Sequence, residues 1–126
     1  MTQEHKELLL IDICARLPYK VKISIPELFT KKEQVETLNE IFKGKDKLYR
    51  VNDSGILIEY IKPYLFPLSS MTEKQKQEYQ HITERWMYDS SYSISDSTDW
   101  LNKNHFDYRG LIERGLAINA TNLNIY

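Results

Sequence analysis

A stretch with two prolines near the middle of the chain, residues 61–73 (IKPYLFPLSSMTE), constrains the fold more than any other feature. It follows a run of high β propensity, and it ends in a signal that typically begins a helix. Because proline cannot donate a backbone hydrogen bond, we expect the chain to end a strand there and to turn at the two prolines. The stretch therefore divides the sequence into a β-rich part, about residues 17–62, and a helical part, about residues 70–117.

Size and composition predict one domain without a strong overall electrostatic field. The 126 residues leave room for a single compact core. The hydrophobic fraction of 41% and the charged fraction of 28% are ordinary for a globular chain. A net charge of −1 gives no general attraction for nucleic acid or for an anionic membrane surface.

The sequence shows no signal for a membrane or for export. Its longest apolar run, residues 8–11, is far shorter than the roughly 20 residues that a membrane-spanning helix needs. No basic region precedes a long apolar one near Met1, so we expect no secretory signal. Cys14 is the single cysteine, which excludes an internal disulfide and suits a reducing compartment. We therefore expect a cytoplasmic protein without membrane contact.

Apolar spacing near the N-terminus predicts a helix over residues 4–16. Asp12 falls outside the apolar stripe of this helix, and Cys14 lies near it, where we expect a buried, inert thiol. The helix ends before Pro18, because the residue that precedes a proline is pushed out of the helical region. Alternation over residues 19–25 then predicts a strand with one buried and one wet face. The stripe is expected to consist of Leu8, Leu9, Ile11, Ile13 and Ala15.

Residues 30–43 allow two interpretations. In the first, Thr30 and Glu33 form a capping box, and a helix follows. In the second, residues 36–43 form a strand, which turns into another strand at residues 47–51. Local signals alone favour the helix slightly.

Three further segments are assigned from their composition. Residues 52–55 (NDSG) are a turn, and residues 56–61 (ILIEYI) predict a strand. The tail, residues 116–126, alternates loosely and could either add an edge strand or lie extended.

The first helix of the second half has a capping signal at Thr72 with Gln75, and Ser70 with Glu73 is an equally good one. Five serines between residues 89 and 97 indicate a loop.

A short helix is expected to begin near Thr98. Asp107 is expected to cap another helix over residues 108–114, with Gly115 suited to its end.

Three segments together resemble a known family: CARLPY at 14–19, the two-proline stretch, and DWLN at 99–102 followed by HFDYRGLIERGLA at 105–117. They are similar to an uncharacterised family of small proteins that is common in anaerobic gut bacteria and their phages and mobile elements. The resemblance implies a strand-rich region between the first two segments, which favours β structure for residues 36–51. Relatives often have glycine where this chain has Lys20. No activity, ligand or catalytic residue comes with the resemblance.

With β structure over residues 36–51, the elements run from a helix through about four short strands to further helices. We therefore expect an α+β fold with an N-terminal helix, a small antiparallel sheet of the SH3-like barrel type, and C-terminal helices. Such a barrel is too narrow to enclose a ligand, so binding would use surface loops and faces.

The sequence assigns no catalytic residue, no metal site and no cofactor. None of its three histidines has a recognised metal-binding spacing, and no glycine-rich phosphate loop is present. The densest polar cluster is His105, Asp107 and Arg109, in which Asp107 could fix a histidine tautomer beside an anion-binding arginine. The simpler interpretation makes Asp107 a helix cap and Arg109 part of a structural ion pair. We therefore expect a protein that is not an enzyme.

The first functional hypothesis is an accessory or protein-interaction module of a bacterial or mobile-element system. The chain has nine tyrosines, and tyrosine is enriched at protein interfaces. Several aromatic residues lie around the two-proline stretch, where Lys62 and Tyr64 are the surface candidates for binding another protein.

The alternative hypothesis is nucleic-acid binding by a basic hairpin over residues 43–50. This segment carries four positive charges and one negative charge. Phosphates could contact its lysines while a base stacks on the tyrosine. A lysine-rich turn is also a common way to protect a sheet edge from aggregation. The candidate residues are Lys43, Lys45, Lys47, Tyr49 and Arg50.

Overall fold

The computed structural model describes residues 1–26, 34–88 and 94–126. Within these ranges the helices are α1 (Gln3–Arg16), α2 (Glu73–Tyr88) and α3 (Ile94–Lys103). The strands are β1 (Lys22–Ile25), β2 (Gln34–Thr37), β3 (Ile41–Lys43), β4 (Tyr49–Val51), β5 (Ile56–Leu57), β6 (Lys62–Pro67), β7 (Phe106–Asp107) and β8 (Ile118–Asn119). Short 3₁₀ helices span Leu17–Tyr19, Ile58–Tyr60 and Leu68–Ser70. The fold is therefore α+β with an N-terminal helix, as predicted.

The strands of the described residues form two sheets. The larger has the order β2-β1-β6-β7, with β8 also paired to β6, and the smaller has the order β3-β4-β5. β1 runs antiparallel to β2 and β6, whereas β7 and β8 run parallel to β6. The prediction of an antiparallel sheet is thus wrong for these two C-terminal strands. The sheets are not closed, so the predicted barrel is not confirmed.

The two-proline stretch forms β6, and the predicted turn at the prolines is wrong. β6 changes partner along its length, because residues 62–63 lie opposite β1, residues 64–65 opposite β8, and residues 66–67 opposite β7. Since no single partner follows β6 throughout, prolines at its second and last positions interrupt no continuous ladder of hydrogen bonds. The strand predicted over residues 56–61 is also shorter than expected and ends as β5 at Leu57.

The β interpretation of residues 36–43 is confirmed and the helical one is wrong there, but the single predicted strand is interrupted at residues 38–40. β2 and β3 occupy this segment, and β3 pairs with β4 to form the predicted hairpin. The predicted cap at Thr30 and Glu33 lies outside the described residues.

Asn52 fixes the point where the chain passes from the larger to the smaller sheet. Its side-chain oxygen accepts hydrogen bonds from the N–H groups of Asn39 (2.8 Å) and Glu40 (3.3 Å). Its amide donates to the carbonyl of Thr37 (2.9 Å) and to Oε2 of Glu36 (3.2 Å). The left-handed φ of 56° at this position is one that asparagine tolerates better than most residues. One buried side chain thus joins the end of β2 and the link between β2 and β3 to the residue that follows β4.

The core lies between α1, the two sheets and the segment that follows β7. The predicted buried positions Val21, Ile23 and Ile25 are fully enclosed. Ser24, on the opposite face of β1, is also buried, so the predicted wet face of this strand is wrong at its centre. Other members of the core are Leu9, Ile13, Leu38, Val51, Ile61, Leu65 and Leu111.

The buried face of α1 differs from the predicted apolar stripe. Ile11 is 57% exposed, whereas Asp12 and Arg16 are fully buried. The Arg16 guanidinium donates to both carboxylate oxygens of Asp12 (2.8 and 3.1 Å) and to the carbonyl oxygen of Phe106 (2.6 Å). Residues at i and i+4 share a helix face, so the face of α1 that carries Asp12 and Arg16 points into the protein, and the predicted stripe is only partly buried. Cys14 is therefore exposed, and the prediction that it is buried is wrong.

Lys20 forms a tight turn between α1 and β1. It has φ 55° and ψ 49°, and its N–H donates to the carbonyl of Leu17. Glycine would adopt this left-handed conformation at lower cost than lysine. The turn delays the strand, which begins at Lys22 and not at Tyr19 as predicted.

The capping box of α2 is confirmed, since the Gln75 N–H donates to Oγ1 of Thr72 and the Thr72 N–H donates to Oε1 of Gln75. α3 begins at Ile94, so the predicted loop is wrong over residues 94–97. Residues 89–93 of that loop lie outside the described residues.

The helix predicted over residues 108–114 is wrong, because residues 108–110 are irregular and residues 111–114 form a turn. Gly110 has φ 74°, a left-handed conformation that no α-helix contains. The tail then supplies β8, as one of the two predicted alternatives has it.

We expect Asp12→Asn to lower the free energy of unfolding by about 3–5 kcal/mol, because it leaves the buried Arg16 without its anion. Urea unfolding followed by circular dichroism measures this loss. Asp46→Asn is the matched control, since Asp46 and Arg50 form an exposed i, i+4 pair of the same two residue types. A loss for Asp12→Asn no greater than that for Asp46→Asn would contradict the prediction.

Candidate functional site

A groove of about 300 Å³ separates the first turns of α1 from the hairpin of β3 and β4. Two of its lining residues, Lys47 and Tyr49, belong to the predicted basic hairpin, which therefore forms one wall. Its apolar lining on α1, the hairpin and β5 was not predicted from the sequence. The full lining consists of Gln3, Lys6, Glu7, Leu10, Lys47, Leu48, Tyr49, Leu57, Ile58 and Glu59.

The hairpin wall is held by the bonds of its own turn. The Gly44 N–H donates to the Leu48 carbonyl, and the Lys47 N–H donates to the Gly44 carbonyl, both at 2.9 Å. The Leu48 N–H donates to Oδ1 of Asp46 at 3.1 Å. This turn holds Leu48 at the edge of the groove, where the residue is 48% exposed.

The opposite wall is fixed by the beginning of α1. Oγ1 of Thr2 accepts a hydrogen bond from the His5 N–H at 3.1 Å, which caps the helix. Lys6 forms an ion pair of 2.9 Å with Glu59, which follows β5. Ile58 lies buried beside that pair. The hairpin is thus held by the bonds of its own turn and α1 by its ion pair with Glu59, so both walls of the groove are fixed.

Two of the predicted nucleic-acid candidates are engaged within the hairpin. The Arg50 guanidinium donates to both carboxylate oxygens of Asp46, at 2.8 and 2.7 Å. These hydrogen bonds lower the pKa of Asp46 to about 2. The ring of Tyr49 is covered by the ammonium group of Lys43, which lies 5.5 Å from the ring centre. Neither Arg50 nor Tyr49 is therefore placed to meet a base or a phosphate without rearrangement.

The two sides of the groove differ in charge. Among the described residues, Lys43, Lys45 and Lys47 take part in no ion pair, so the hairpin carries three uncompensated positive charges. Glu4 and Glu7 are exposed on the first turns of α1. Of these charged residues, Lys47 and Glu7 line the groove itself, so its hairpin side carries an uncompensated positive charge and its α1 side a negative one.

The two residues predicted to bind a protein are placed differently. Lys62 is exposed on β6. Tyr64 is only 5% exposed, so its assignment as a surface contact is wrong. Its neighbours Pro63 and Leu65 are buried as well, so both faces of β6 are covered at this point.

The predicted polar cluster of His105, Asp107 and Arg109 is divided among three structural roles. Asp107 accepts hydrogen bonds from the N–H groups of Leu111 (3.0 Å) and Ile112 (2.9 Å), so it caps a turn and not a helix. Arg109 donates to Oδ1 of the buried Asp12 at 2.8 Å. The expected ion pair of Arg109 is thereby confirmed.

His105 packs against Tyr126. Their rings are stacked, with centres 3.9 Å apart. The Tyr126 hydroxyl accepts a hydrogen bond from the Lys22 N–H (2.8 Å) and donates to the Tyr64 carbonyl (2.7 Å), so it joins β1 to β6 where they diverge. Burial, with smaller effects from Arg16 and Lys22, lowers the pKa of His105 to about 4.

A second recess lies where Asn52 joins the sheets, and its side chains are polar and partly acidic. Glu36, Glu40 and Asp53 all line it. Glu36 is bonded to the amide of Asn52. These carboxylates do not form a metal site, since no three His, Cys, Asp or Glu side chains among the described residues are arranged so that they could hold one metal ion.

Cys14 is exposed, but partial burial raises the pKa of its thiol, which disfavours the thiolate.

In the described ranges, no helix combines the length and the apolar character needed to cross a bilayer.

We expect the free energy of unfolding to decrease as the pH falls from 6.5 to about 4, because the unfolded chain protonates His105 in this range and the folded chain does not. His105→Asn should reduce this pH dependence, and asparagine tolerates the φ of 63°. Urea unfolding at several pH values measures it. His81→Asn, on the exposed surface of α2, is the control. An unchanged pH dependence in His105→Asn would contradict the assignment.

No protein-family model matches the chain, and no curated protein or solved structure matches it. What the groove can bind is therefore inferred from the chemistry of its own residues. The apolar lining, the fixed walls and the difference in charge across the groove are the features that any function of this site has to use.

Proposed function

We propose that the protein is a non-enzymatic interaction module, an accessory of a bacterial or mobile-element system, that binds another protein through the groove between α1 and the β3–β4 hairpin. The observation that carries the proposal is Leu48, which the turn holds 48% exposed beside an apolar groove. Together with the apolar lining it forms an exposed apolar patch rimmed by polar residues, which is typical of a surface that binds another protein.

The lining supports binding more than catalysis. Leu10, Leu48, Leu57 and Ile58 supply apolar surface, and burying each 100 Å² of such surface contributes about 2.5 kcal/mol before the costs of association. Lys6 and Glu59 neutralise each other at 2.9 Å. The groups of the predicted polar cluster are engaged in packing and capping elsewhere, which favours a non-enzymatic role.

Nucleic-acid binding is the second candidate, and the three uncompensated lysines of the hairpin favour it. Against it, Arg50 is bound to Asp46, and Lys43 covers the Tyr49 ring. Glu7 and Glu59 also line the groove, where they would repel phosphates. The geometry therefore supports a protein partner better.

We expect Leu48→Ser to lower the recovery of the partner about tenfold, because it removes apolar surface that the partner would bury at the edge of the groove. The measurement is a pulldown with the tagged full chain from the native host, eluted in salt steps with and without nuclease. Leu68→Ser is the matched control, since Leu68 is 43% exposed and lies outside the groove.

Equal recovery with both variants would contradict the proposed groove. Material that is lost after nuclease treatment and with Lys45→Glu plus Lys47→Glu, but retained with Leu48→Ser, would favour the second candidate, because phosphate contacts weaken as salt rises.

A further inference from the structure

We infer that the segment bound in the groove is a short acidic-apolar peptide stretch of the partner protein, with an apolar side chain in the groove and a carboxylate facing the hairpin. This inference rests on the proposed function and deepens it, because it names the chemistry of the partner. Its evidence is the combination of the apolar lining with an uneven distribution of charge across the two walls.

The apolar part of the inference follows from the shape and lining of the groove. Its volume of about 300 Å³ lies at the lower end of the range for sites that enclose a small ligand. It therefore accommodates an anchor side chain from a peptide and not a broad folded surface. The apolar lining comes from Leu10 of α1, from Leu48 of the hairpin turn, and from Leu57 and Ile58 at and after β5.

The acidic part follows from the charges that remain uncompensated. Asp46 is held by two hydrogen bonds from Arg50, so it does not neutralise the neighbouring lysines. Lys43, Lys45 and Lys47 are therefore left as the charges of this wall, and Lys47 lines the groove itself. A peptide carboxylate on this side gains attraction without displacing an existing ion pair.

The opposite wall gives the peptide a direction. Lys6 is neutralised by Glu59, whereas Glu7 lines the groove and is exposed. A carboxylate near Glu7 would be repelled, and one near Lys47 would be attracted. The carboxylate of the bound segment is accordingly placed toward the hairpin and away from α1.

The experiment uses fluorescently labelled peptide pools of equal length and measures their anisotropy with the full chain. One pool contains leucine, aspartate and serine, the second leucine, lysine and serine, and the third only aspartate and serine. At about 0.1 M salt, where charges interact over about 10 Å, we expect the first pool to bind about fivefold more tightly than the second. We expect the third pool to bind more weakly still, because it lacks the anchor.

Two variants test the two parts separately. Lys45→Glu with Lys47→Glu should reverse the preference, so that the leucine–lysine pool binds more tightly than the leucine–aspartate pool. Leu48→Ser should weaken both leucine pools by a similar factor. Lys74→Glu with Lys76→Glu is the matched control, because these lysines are exposed on α2 and lie outside the groove.

Equal binding of the two leucine pools, or a preference that persists after the double charge reversal, would overturn the acidic part. Binding of the aspartate–serine pool as tight as that of the leucine–aspartate pool would overturn the apolar part. Absence of binding by every pool would overturn the inference as a whole, as would self-association in sedimentation that Leu48→Ser abolishes, since the occupant would then be a second copy. The proposed function is judged separately, by the recovery of a partner protein with Leu48→Ser.

Discussion

The carboxylate of Asp12 is shared by two arginines inside the protein, and the position of α1 depends on it. Arg16 comes from the next turn of the same helix, and Arg109 comes from the segment after β7. Arg16 also donates to the Phe106 carbonyl, so one ionic cluster ties α1 to the edge of the larger sheet. Tyr108 packs against both guanidinium groups. Its ring centre lies 5.4 Å from Cζ of Arg16 and 4.5 Å from Cζ of Arg109. A buried charge without such partners would be strongly destabilising, which makes the helix orientation specific.

The groove is a consequence of that orientation and of the hub at Asn52. The ionic cluster fixes the rotation of α1, which brings Leu10 and Glu7 to the side that faces the hairpin. Asn52 fixes the departure of the hairpin from the larger sheet. Asp12, Arg16 and Asn52 do not line the groove, whereas Lys6 and Glu59, whose ion pair also holds α1, do. The surface proposed for binding is therefore supported partly by residues behind it and partly by an ion pair in its own lining.

Local signals predicted the structure best where they involve neighbouring residues. The capping box of Thr72 and Gln75, the turn at residues 52–55 and the hairpin around Gly44 are all short-range features, and all are present. The prediction failed where the burial of a residue depends on a partner that is distant in the sequence. Asp12 is polar and was placed outside the buried stripe, but its partner Arg109 lies 97 residues away. The same reason applies to the groove, because the sequence indicated the lysines of the hairpin but not the helix that faces them. The single local sign was Leu48, an apolar residue in a lysine-rich turn.

The long separation of these partners also determines the order in which the nascent chain can fold. Arg16 and Phe106 are 90 residues apart. One edge of β6 pairs with Ile118 and Asn119, which are synthesised more than 50 residues later. At a synthesis rate of about 5–20 residues per second, α1 spends several seconds outside the ribosome before its carbonyl and arginine partners exist. During this time its charged face favours water over any premature hydrophobic contact. The ionic cluster can thus be completed only after the C-terminal segment has been made, and because contacts between distant parts of a chain form slowly, we expect it to form late in folding.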